Sequence, residues 1–151
     1  MAGLFYEEFV IGHEFIHELS RTVTEADNIS FSLMTLNPQP LHIDAHFAAE
    51  TEWGRPLFNS IYTLGIMIGM SVQDTTLGTT VGNLGMSDVR FPKPVFHGDT
   101  LRSRTRVVAK RESKSRAEVG IVEFEHECNN QHDETVAICR RVAMMRKKGA
   151  A

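Results

Sequence analysis

The segment from Ser60 to Val72 constrains the fold more than any other, because its 13 residues include no charged side chain. A helix that is apolar on every side is normally buried on every side, so this segment predicts a central helix inside the protein. It is too short to cross a membrane. Gly65 and Gly69 lie on one face, and each lowers helix propensity by about 1 kcal/mol relative to Ala. We therefore expect both glycines to pack closely against a sheet.

Two later stretches alternate in the manner of paired antiparallel strands. Arginine occupies alternate positions between Thr100 and Lys110, and glutamate does so between Val122 and Cys128. A turn around residues 113–116 that sets Lys110 opposite Val119 would place opposite charges across from each other on one face, with apolar residues on the other. The predicted pairs are Arg102 with Glu127, Arg104 with Glu125 and Arg106 with Glu123.

The remaining pattern completes an α+β fold. Strands are predicted over residues 14–23, 82–91 and 135–146, and a helix over 25–34 that Thr24 and Asp27 cap. The apolar stripe of that helix is Ala26, Ile29 and Leu33. An antiparallel sheet wrapped around one long buried helix is the hot-dog arrangement. One sheet with one helix leaves an open edge and flank, so we expect a homodimer or a higher even-numbered homo-oligomer.

Composition excludes several classes of protein. With 151 residues, the chain predicts a single domain over residues 1–151. A net charge of −3 does not favour nucleic acid, and the N-terminal acids are unlike a secretory signal. Two cysteines, Cys128 and Cys139, make no disulfide framework and fit the core of a cytoplasmic protein. We expect neither a membrane nor a nucleic acid partner.

A proline-rich loop carries the candidate chemistry. Pro38 and Pro40 predict an extended segment between Asn37 and Asp44. Asp44 is expected to cap the next helix, which Gly54 would end. The loop holds His42, a side chain that titrates near neutral pH and therefore serves as acid or base.

These residues resemble the MaoC-like hydratase family of hot-dog enzymes, which add water to enoyl-CoA thioesters. The family motif Asp-x-Asn-Pro-Leu-His is similar to residues 37–42, and the resemblance continues through the apolar segment and residues 89–101. It implies that His42 is catalytic, that Asn37 stands at the catalytic Asp, and that Gln39 contacts substrate. The family's Ala-His-Gly falls on substrate-binding positions that are Phe58, Asn59 and Ser60 here. An acyl-CoA substrate is implied, and no cofactor.

Asn37 departs from the family, because an amide cannot accept a proton as a carboxylate does. His42 would then act as base and acid by itself, and backbone amides near Ser60 would hold the thioester oxygen. A neutral residue would also avoid repelling a substrate that carries its own carboxylate. The chain accordingly resembles the itaconyl-CoA and mesaconyl-CoA hydratases, also called β-methylmalyl-CoA dehydratases, whose acyl chains carry a free carboxylate.

Simpler interpretations of the same residues remain open. Asn37 is also a common turn residue, and Asn59 and Ser60 suit helix capping. Arg55 could bind a substrate carboxylate, although solvation at the surface is the interpretation that we favour. His42 and His46 have the spacing of metal ligands, but no third ligand is evident, so no metal site is expected.

Two other functions also fit the pattern. A hot-dog thioesterase usually carries a catalytic acid on or beside the central helix, and this helix has none before Asp74 at its far end. A non-catalytic acyl-CoA binding protein would need neither Asp nor His at the loop.

Overall fold

A computed structural model describes residues 3–149. A short 3-10 helix, Tyr6–Glu8, precedes five strands and four helices in the order β1, α1, α2, α3, α4, β2, β3, β4, β5. The helices are α1 Glu25–Met34, α2 Pro40–Ile43, α3 Ala45–Ala49 and α4 Ser60–Thr75. The strands are β1 Glu14–Thr22, β2 Thr80–Arg90, β3 Thr100–Glu112, β4 Val119–Asn129 and β5 Thr135–Arg146.

The five strands form one antiparallel sheet in the order β1-β3-β4-β5-β2. Helix α4 lies against the inner face of this sheet and contacts β1, β3, β4 and β5. The α+β architecture with a central helix is therefore confirmed. Strands β1 and β2 form the two edges of the sheet. Within residues 3–149, none of the helices has the length and apolar content that crossing a membrane requires.

The predicted register of β3 on β4 is wrong by two residues. Arg104 lies opposite Glu127 and Arg106 opposite Glu125, whereas Arg102 faces Asn129. Two arginine–glutamate pairs form, Arg104 with Glu127 at 2.7 Å and Arg106 with Glu125 at 2.6 Å, but neither is one of the three predicted pairs.

The shift begins at the turn, where β3 continues to Glu112 and Lys110 lies opposite Val122 instead of Val119. Glu112 pairs with Gly120, and an irregularity between Val107 and Ala109 then moves the register by one residue. The charged residues of β3 are therefore displaced by two positions from the predicted register. A displacement of two residues keeps every side chain on the same face of the sheet. The buried face of β3 is accordingly the expected one, Leu101, Ser103, Thr105 and Val107.

Helix α4 is buried on one side only, so the expectation of burial all round is wrong for this chain. Met67, Met70 and Ser71 are buried under the sheet, while Ile61 is 58% exposed. Gly65 and Gly69 lie on the exposed side, where a Cβ atom would meet nothing within 4 Å. The glycines therefore do not pack against the sheet. They line an apolar groove of about 470 Å³ between α4, α1 and β1.

Helix α1 begins and ends where expected but buries a different face. The cap forms, because Thr24 accepts a hydrogen bond from the Asp27 amide and Asp27 accepts one from the Thr24 amide. The predicted apolar stripe is largely outside: Leu33 is 55% exposed and Ala26 is exposed. The buried residues are Asn28 and Ser32. These two residues face inward because both side chains form hydrogen bonds with Asn59 at the start of α4.

A chain of polar side chains crosses the inner face of the sheet and is called here the buried polar chain. Its members are Asp74 of α4, His17 of β1, Thr105 of β3, His126 of β4 and Arg141 of β5. The successive hydrogen bonds measure 2.7, 2.8, 2.8 and 3.0 Å. All except Asp74 are buried, so the chain ties the end of α4 to four strands.

Candidate active site

The loop after α1 is more compact than predicted. Leu36 adopts a left-handed conformation with φ 58° and turns the chain out of the helix. Asn37 then accepts a hydrogen bond from the Gln39 amide at 3.1 Å, and Pro40 opens a single helical turn, α2. The expected extended loop thus ends at Gln39, because proline is well suited to the first position of a helix. Gln39 is exposed and occupies the N-cap position of this turn, without a capping hydrogen bond from its side chain within residues 3–149.

The segment that follows confirms one cap and corrects one helix end. The carboxylate of Asp44 accepts a hydrogen bond from the Phe47 amide at 3.0 Å, so Asp44 caps α3 as expected. That helix stops at Ala49, whereas Gly54 has the left-handed φ of 65° in the turn beyond it. Gly54 therefore belongs to the connection to α4.

His42 is half-buried in α2 and has one fixed ring nitrogen. Its Nδ1 lies 2.7 Å from the carbonyl oxygen of Leu57. A carbonyl only accepts, so Nδ1 carries the hydrogen and the neutral ring keeps its lone pair on Nε2. Within residues 3–149, Nε2 has no hydrogen-bond partner. This is the protonation pattern of a general base that is ready to take a proton.

The N-terminus of α4 presents a free backbone amide. Asn59 is the cap: its side-chain oxygen accepts a hydrogen bond from the Ile61 amide at 3.1 Å, and its Nδ2 donates to Ser32 Oγ at 3.2 Å. The Ser60 amide has no acceptor in the part of the chain that the structure describes. Because α4 has 16 residues, its dipole makes this amide a good donor to a developing negative charge.

A cleft of about 300 Å³ opens at this end of α4. Phe58 and Ser60 belong to its wall, and Lys93 is the one charged lining residue among residues 3–149. The other lining residues are Trp53, Leu57, Thr63, Phe91, Pro92, Pro94, Val95 and Val136. The mostly apolar wall suits an acyl chain more than a nucleotide.

The predicted site residues fall into two groups. Phe58 and Ser60 line the cleft, whereas His42, Asn37 and Gln39 do not. The groups meet through Leu57, whose carbonyl binds His42 and which also lines the cleft. Arg55 is exposed and stacks over the Phe96 ring at 3.8 Å, outside the cleft wall.

Two residues behind His42 were missed by the sequence analysis. The fully buried Asn28 donates to His97 Nε2 at 2.9 Å and to the His42 carbonyl at 3.1 Å. Burial is the main cause that lowers the pKa of His97. Asn28 lies next to the predicted apolar stripe of α1, and no sequence motif indicates a functional role for it. His97 is followed by Gly98 and Asp99, and this pattern predicts only a turn.

Two other kinds of site are not supported by the geometry. Among residues 3–149, no group of three or more His, Cys, Asp or Glu side chains is arranged to hold a metal ion. Asp74, His17 and Thr105 have the order of a hydrolase triad, but Thr105 is fully buried in the core. A buried hydroxyl cannot reach a substrate carbonyl, so this arrangement does not favour a thioesterase.

Sequence comparison gives a family match and alignments along nearly the full length of this chain. The model of the MaoC like domain matches residues 8–130. The β-methylmalyl-CoA dehydratase of Chloroflexus aurantiacus is 31% identical over 97% of this chain and 41% of its own length. The mesaconyl-CoA hydratase of Cereibacter sphaeroides is 29% identical over 99% of this chain and 43% of its own. The chain thus spans less than half of these relatives.

Structural comparison agrees with the sequence matches. A monoamine oxidase regulatory protein from Archaeoglobus fulgidus superimposes with a TM-score of 0.87 and 32% identity, over 98% of this chain and 97% of that one. A Mycobacterium tuberculosis protein described as a double hotdog fold gives 0.86 at 23% identity, over 99% and 46%. The expected hot-dog fold is confirmed.

Proposed function

Because the chain belongs to the MaoC-like domain family, we propose that it is a hydratase or dehydratase that adds water reversibly to an enoyl-CoA thioester. It would thus be a carbon–oxygen lyase. The observation that carries the proposal is His42, whose Nδ1–H donates to the Leu57 carbonyl and whose Nε2 has no hydrogen-bond partner among residues 3–149. The names of the aligned relatives, a dehydratase and a hydratase of acyl-CoA thioesters, support the same reaction.

In the hydration direction, His42 Nε2 takes a proton from water as the water oxygen attacks the β-carbon. The β-carbon–oxygen bond forms while the carbon–carbon double bond opens toward the thioester, which becomes an enolate. The Ser60 amide donates to the enolate oxygen. The protonated His42 then returns the proton to the α-carbon, so water is added across the double bond and no other reactant is needed.

We propose that the acyl chain is short and carries its own carboxylate, as in mesaconyl-CoA or itaconyl-CoA. Asn37 supports this, because its amide replaces the carboxylate that the family motif has at this position. Asn37 Oδ1 is used by the Gln39 amide, so its Nδ2 is the group left to orient water or a substrate oxygen. A neutral side chain at this position avoids the electrostatic repulsion that a protein carboxylate would exert on a substrate carboxylate in a confined site.

We further propose that residues 1–151 act as one domain in a homodimer or a larger even-numbered assembly. The edge strand β2 exposes Val81, Leu84, Met86 and Val89 next to an unpaired strand edge. The relatives are more than twice as long as this chain, which is consistent with two such units acting together. The free, buried Cys128 and Cys139 support a reducing, cytoplasmic location.

A substrate panel tests this function directly. Purified protein is given crotonyl-CoA and mesaconyl-CoA in separate assays, and loss of the conjugated enoyl thioester is followed by absorbance. We expect mesaconyl-CoA to be hydrated with the higher kcat/KM. A preference for crotonyl-CoA would defeat the argument about charge, while release of free CoA thiol without hydration would establish a thioesterase instead.

A further inference from the structure

Helix α1 buries polar residues where its sequence pattern predicts an apolar stripe. Asn28 is fully buried, while Leu33 on the apolar stripe is 55% exposed. Burying an amide costs free energy unless its hydrogen bonds are replaced. Departures of this kind concentrate at functional sites, where a specific polar contact outweighs apolar burial. Asn28 therefore needs an explanation in terms of what it bonds.

The side chain of Asn28 joins three separate segments around the candidate site. Its Nδ2 donates to the carbonyl oxygens of His42 and Leu57, at 3.1 and 3.0 Å, and to His97 Nε2 at 2.9 Å. Its Oδ1 accepts from the Asn59 amide at 2.9 Å. Two amide hydrogens serve three acceptors, so one hydrogen is shared. Every polar atom of the side chain is thus used.

One half of this arrangement controls the orientation of His42. The carbonyl of Leu57 accepts from Asn28 Nδ2 and from His42 Nδ1. Asn28 therefore holds in place the oxygen that selects the Nδ1–H tautomer of His42. It also holds the backbone of His42 through the His42 carbonyl. Both contacts keep the Nε2 lone pair directed away from Leu57.

The other half controls the start of α4. By accepting from the Asn59 amide, Asn28 Oδ1 fixes the backbone of the cap residue, and the next amide along the chain is that of Ser60. The donor to the thioester oxygen therefore takes its direction from the same side chain that holds His42. A single rigid amide sets the geometry between base and oxyanion donor.

We infer that Asn28 is a positioning residue that fixes the tautomer of His42 and the direction of the Ser60 amide together. The inference rests on the proposed hydration reaction. In the proposed reaction, Asn28 contacts no reacting atom and acts only through His42, Leu57 and Asn59. A misplacement of about 1 Å in such groups costs roughly 100-fold in rate.

The experiment uses two variants and a matched control. Asn28→Ala removes all four bonds, and Asn28→Asp keeps the shape and the acceptor but loses the donors. Ser32→Ala is the control, because Ser32 is equally buried one turn along the same face and contacts the Asn59 side chain only through its Oγ. Each protein is assayed with mesaconyl-CoA, and the His42 ring nitrogens are observed by NMR without ligand.

We expect kcat to fall roughly 10- to 100-fold in both Asn28 variants, with KM changed less than about threefold. The His42 spectrum should lose its single Nδ1–H tautomer in both variants, while Ser32→Ala keeps it. Asn28→Asp conserves volume, so a cavity cannot explain its loss.

An unchanged His42 tautomer in both Asn28 variants would overturn the inference, whether or not kcat falls. The same holds if Ser32→Ala reproduces the tautomer change. A wild-type protein that hydrates neither mesaconyl-CoA nor crotonyl-CoA would overturn the proposed function instead. The tautomer measurement, made without substrate, still tests the geometric role of Asn28 in that case.

Discussion

Arg141 donates a hydrogen bond from Nε to His126 Nε2 at 3.0 Å, inside the core. That bond sets the direction of the whole buried polar chain. Since His126 Nε2 accepts, His126 carries its hydrogen on Nδ1 and donates to Thr105, which donates in turn to His17 Nε2. His17 Nδ1–H then faces the Asp74 carboxylate. His126 is neutral in this order, with one ring nitrogen accepting and the other donating.

The first prediction concerns stability at acid pH. Burial, followed by Arg141 and His17, lowers the pKa of His126 from 6.5 to about 3. Between these two pH values, the unfolded chain binds a proton at His126 that the folded protein does not bind. The contribution of His126 to the free energy of unfolding is therefore fully present above pH 6.5 and is lost as the pH falls toward 3. At about 1.4 kcal/mol per pH unit, the stability lost through this residue is at most on the order of 5 kcal/mol. Urea unfolding from pH 7.5 to 4 measures it.

His126→Gln and His46→Gln separate this effect from the titration of carboxylates. His126→Gln should flatten the acid slope, because an amide does not titrate. His46→Gln is the control, since its side chain is 90% exposed in the folded protein. Equal slopes in wild type and His126→Gln would show that His126 is not responsible.

The second prediction concerns Gly120 in β4. A Cβ atom at this position would overlap the ring of Tyr6, which packs flat against the strand. Gly120→Ala should therefore destabilise the protein by about 3 kcal/mol, because the ring would have to move out of a packed cluster. Thermal or urea unfolding measures the loss. Gly85→Ala is the control, since a Cβ there meets nothing within 4 Å.

Tyr6→Ala supplies the second half of a double-mutant cycle. It should make Gly120→Ala much less costly, although Tyr6→Ala is itself destabilising. A Gly120→Ala penalty that stays the same without the Tyr6 ring would contradict overlap as its cause.

Local signals in the sequence were enough to predict much of this fold. The cap of α1 by Thr24 and Asp27 and the cap of α3 by Asp44 both form, because capping depends on residues three positions apart. The faces of β3 and β4 are also as predicted, since alternation is a property of each strand alone. The predictions that were wrong concern features that depend on residues far away in the sequence.

The failures share a tertiary cause. The register of β3 on β4 depends on an irregularity near Val107 that charge pairing does not reveal. The buried face of α1 depends on Asn28 reaching Leu57, 29 residues away. The loop motif predicts His42 as the candidate base, and that role stays a prediction. The motif does not indicate the Leu57 carbonyl that fixes the His42 tautomer, because this contact arises only when α2 meets the entrance to α4.

The third prediction tests whether His42 takes part in the chemical step or only in substrate binding. His42→Ala should lower kcat with mesaconyl-CoA by roughly 100- to 10,000-fold, because it removes both the base and the acid. Affinity for mesaconyl-CoA, measured by calorimetry on this inactive variant, should remain close to the wild-type KM. A protein that binds acyl-CoA equally well but shows no turnover with or without His42 would be the non-catalytic binder.

The last prediction concerns charge at Asn37. Asn37→Asp restores the carboxylate of the family motif and keeps the shape of the side chain, including the oxygen that accepts from the Gln39 amide. It should raise kcat/KM for crotonyl-CoA, because a carboxylate can share the proton transfers with His42. It should lower kcat/KM for mesaconyl-CoA, since two carboxylates would then face each other in a confined site. The ratio of the two kcat/KM values is the measurement.

Asn37→Ser serves as the neutral control for this change in charge. It removes the amide without adding a charge, so it should weaken both substrates alike and leave their ratio near the wild-type value. A ratio that moves as far in Asn37→Ser as in Asn37→Asp would point to shape or hydrogen bonding. If Asn37→Asp improves or harms both substrates together, the residue affects catalysis without choosing the acyl group, and the argument for a carboxylated substrate loses its main support.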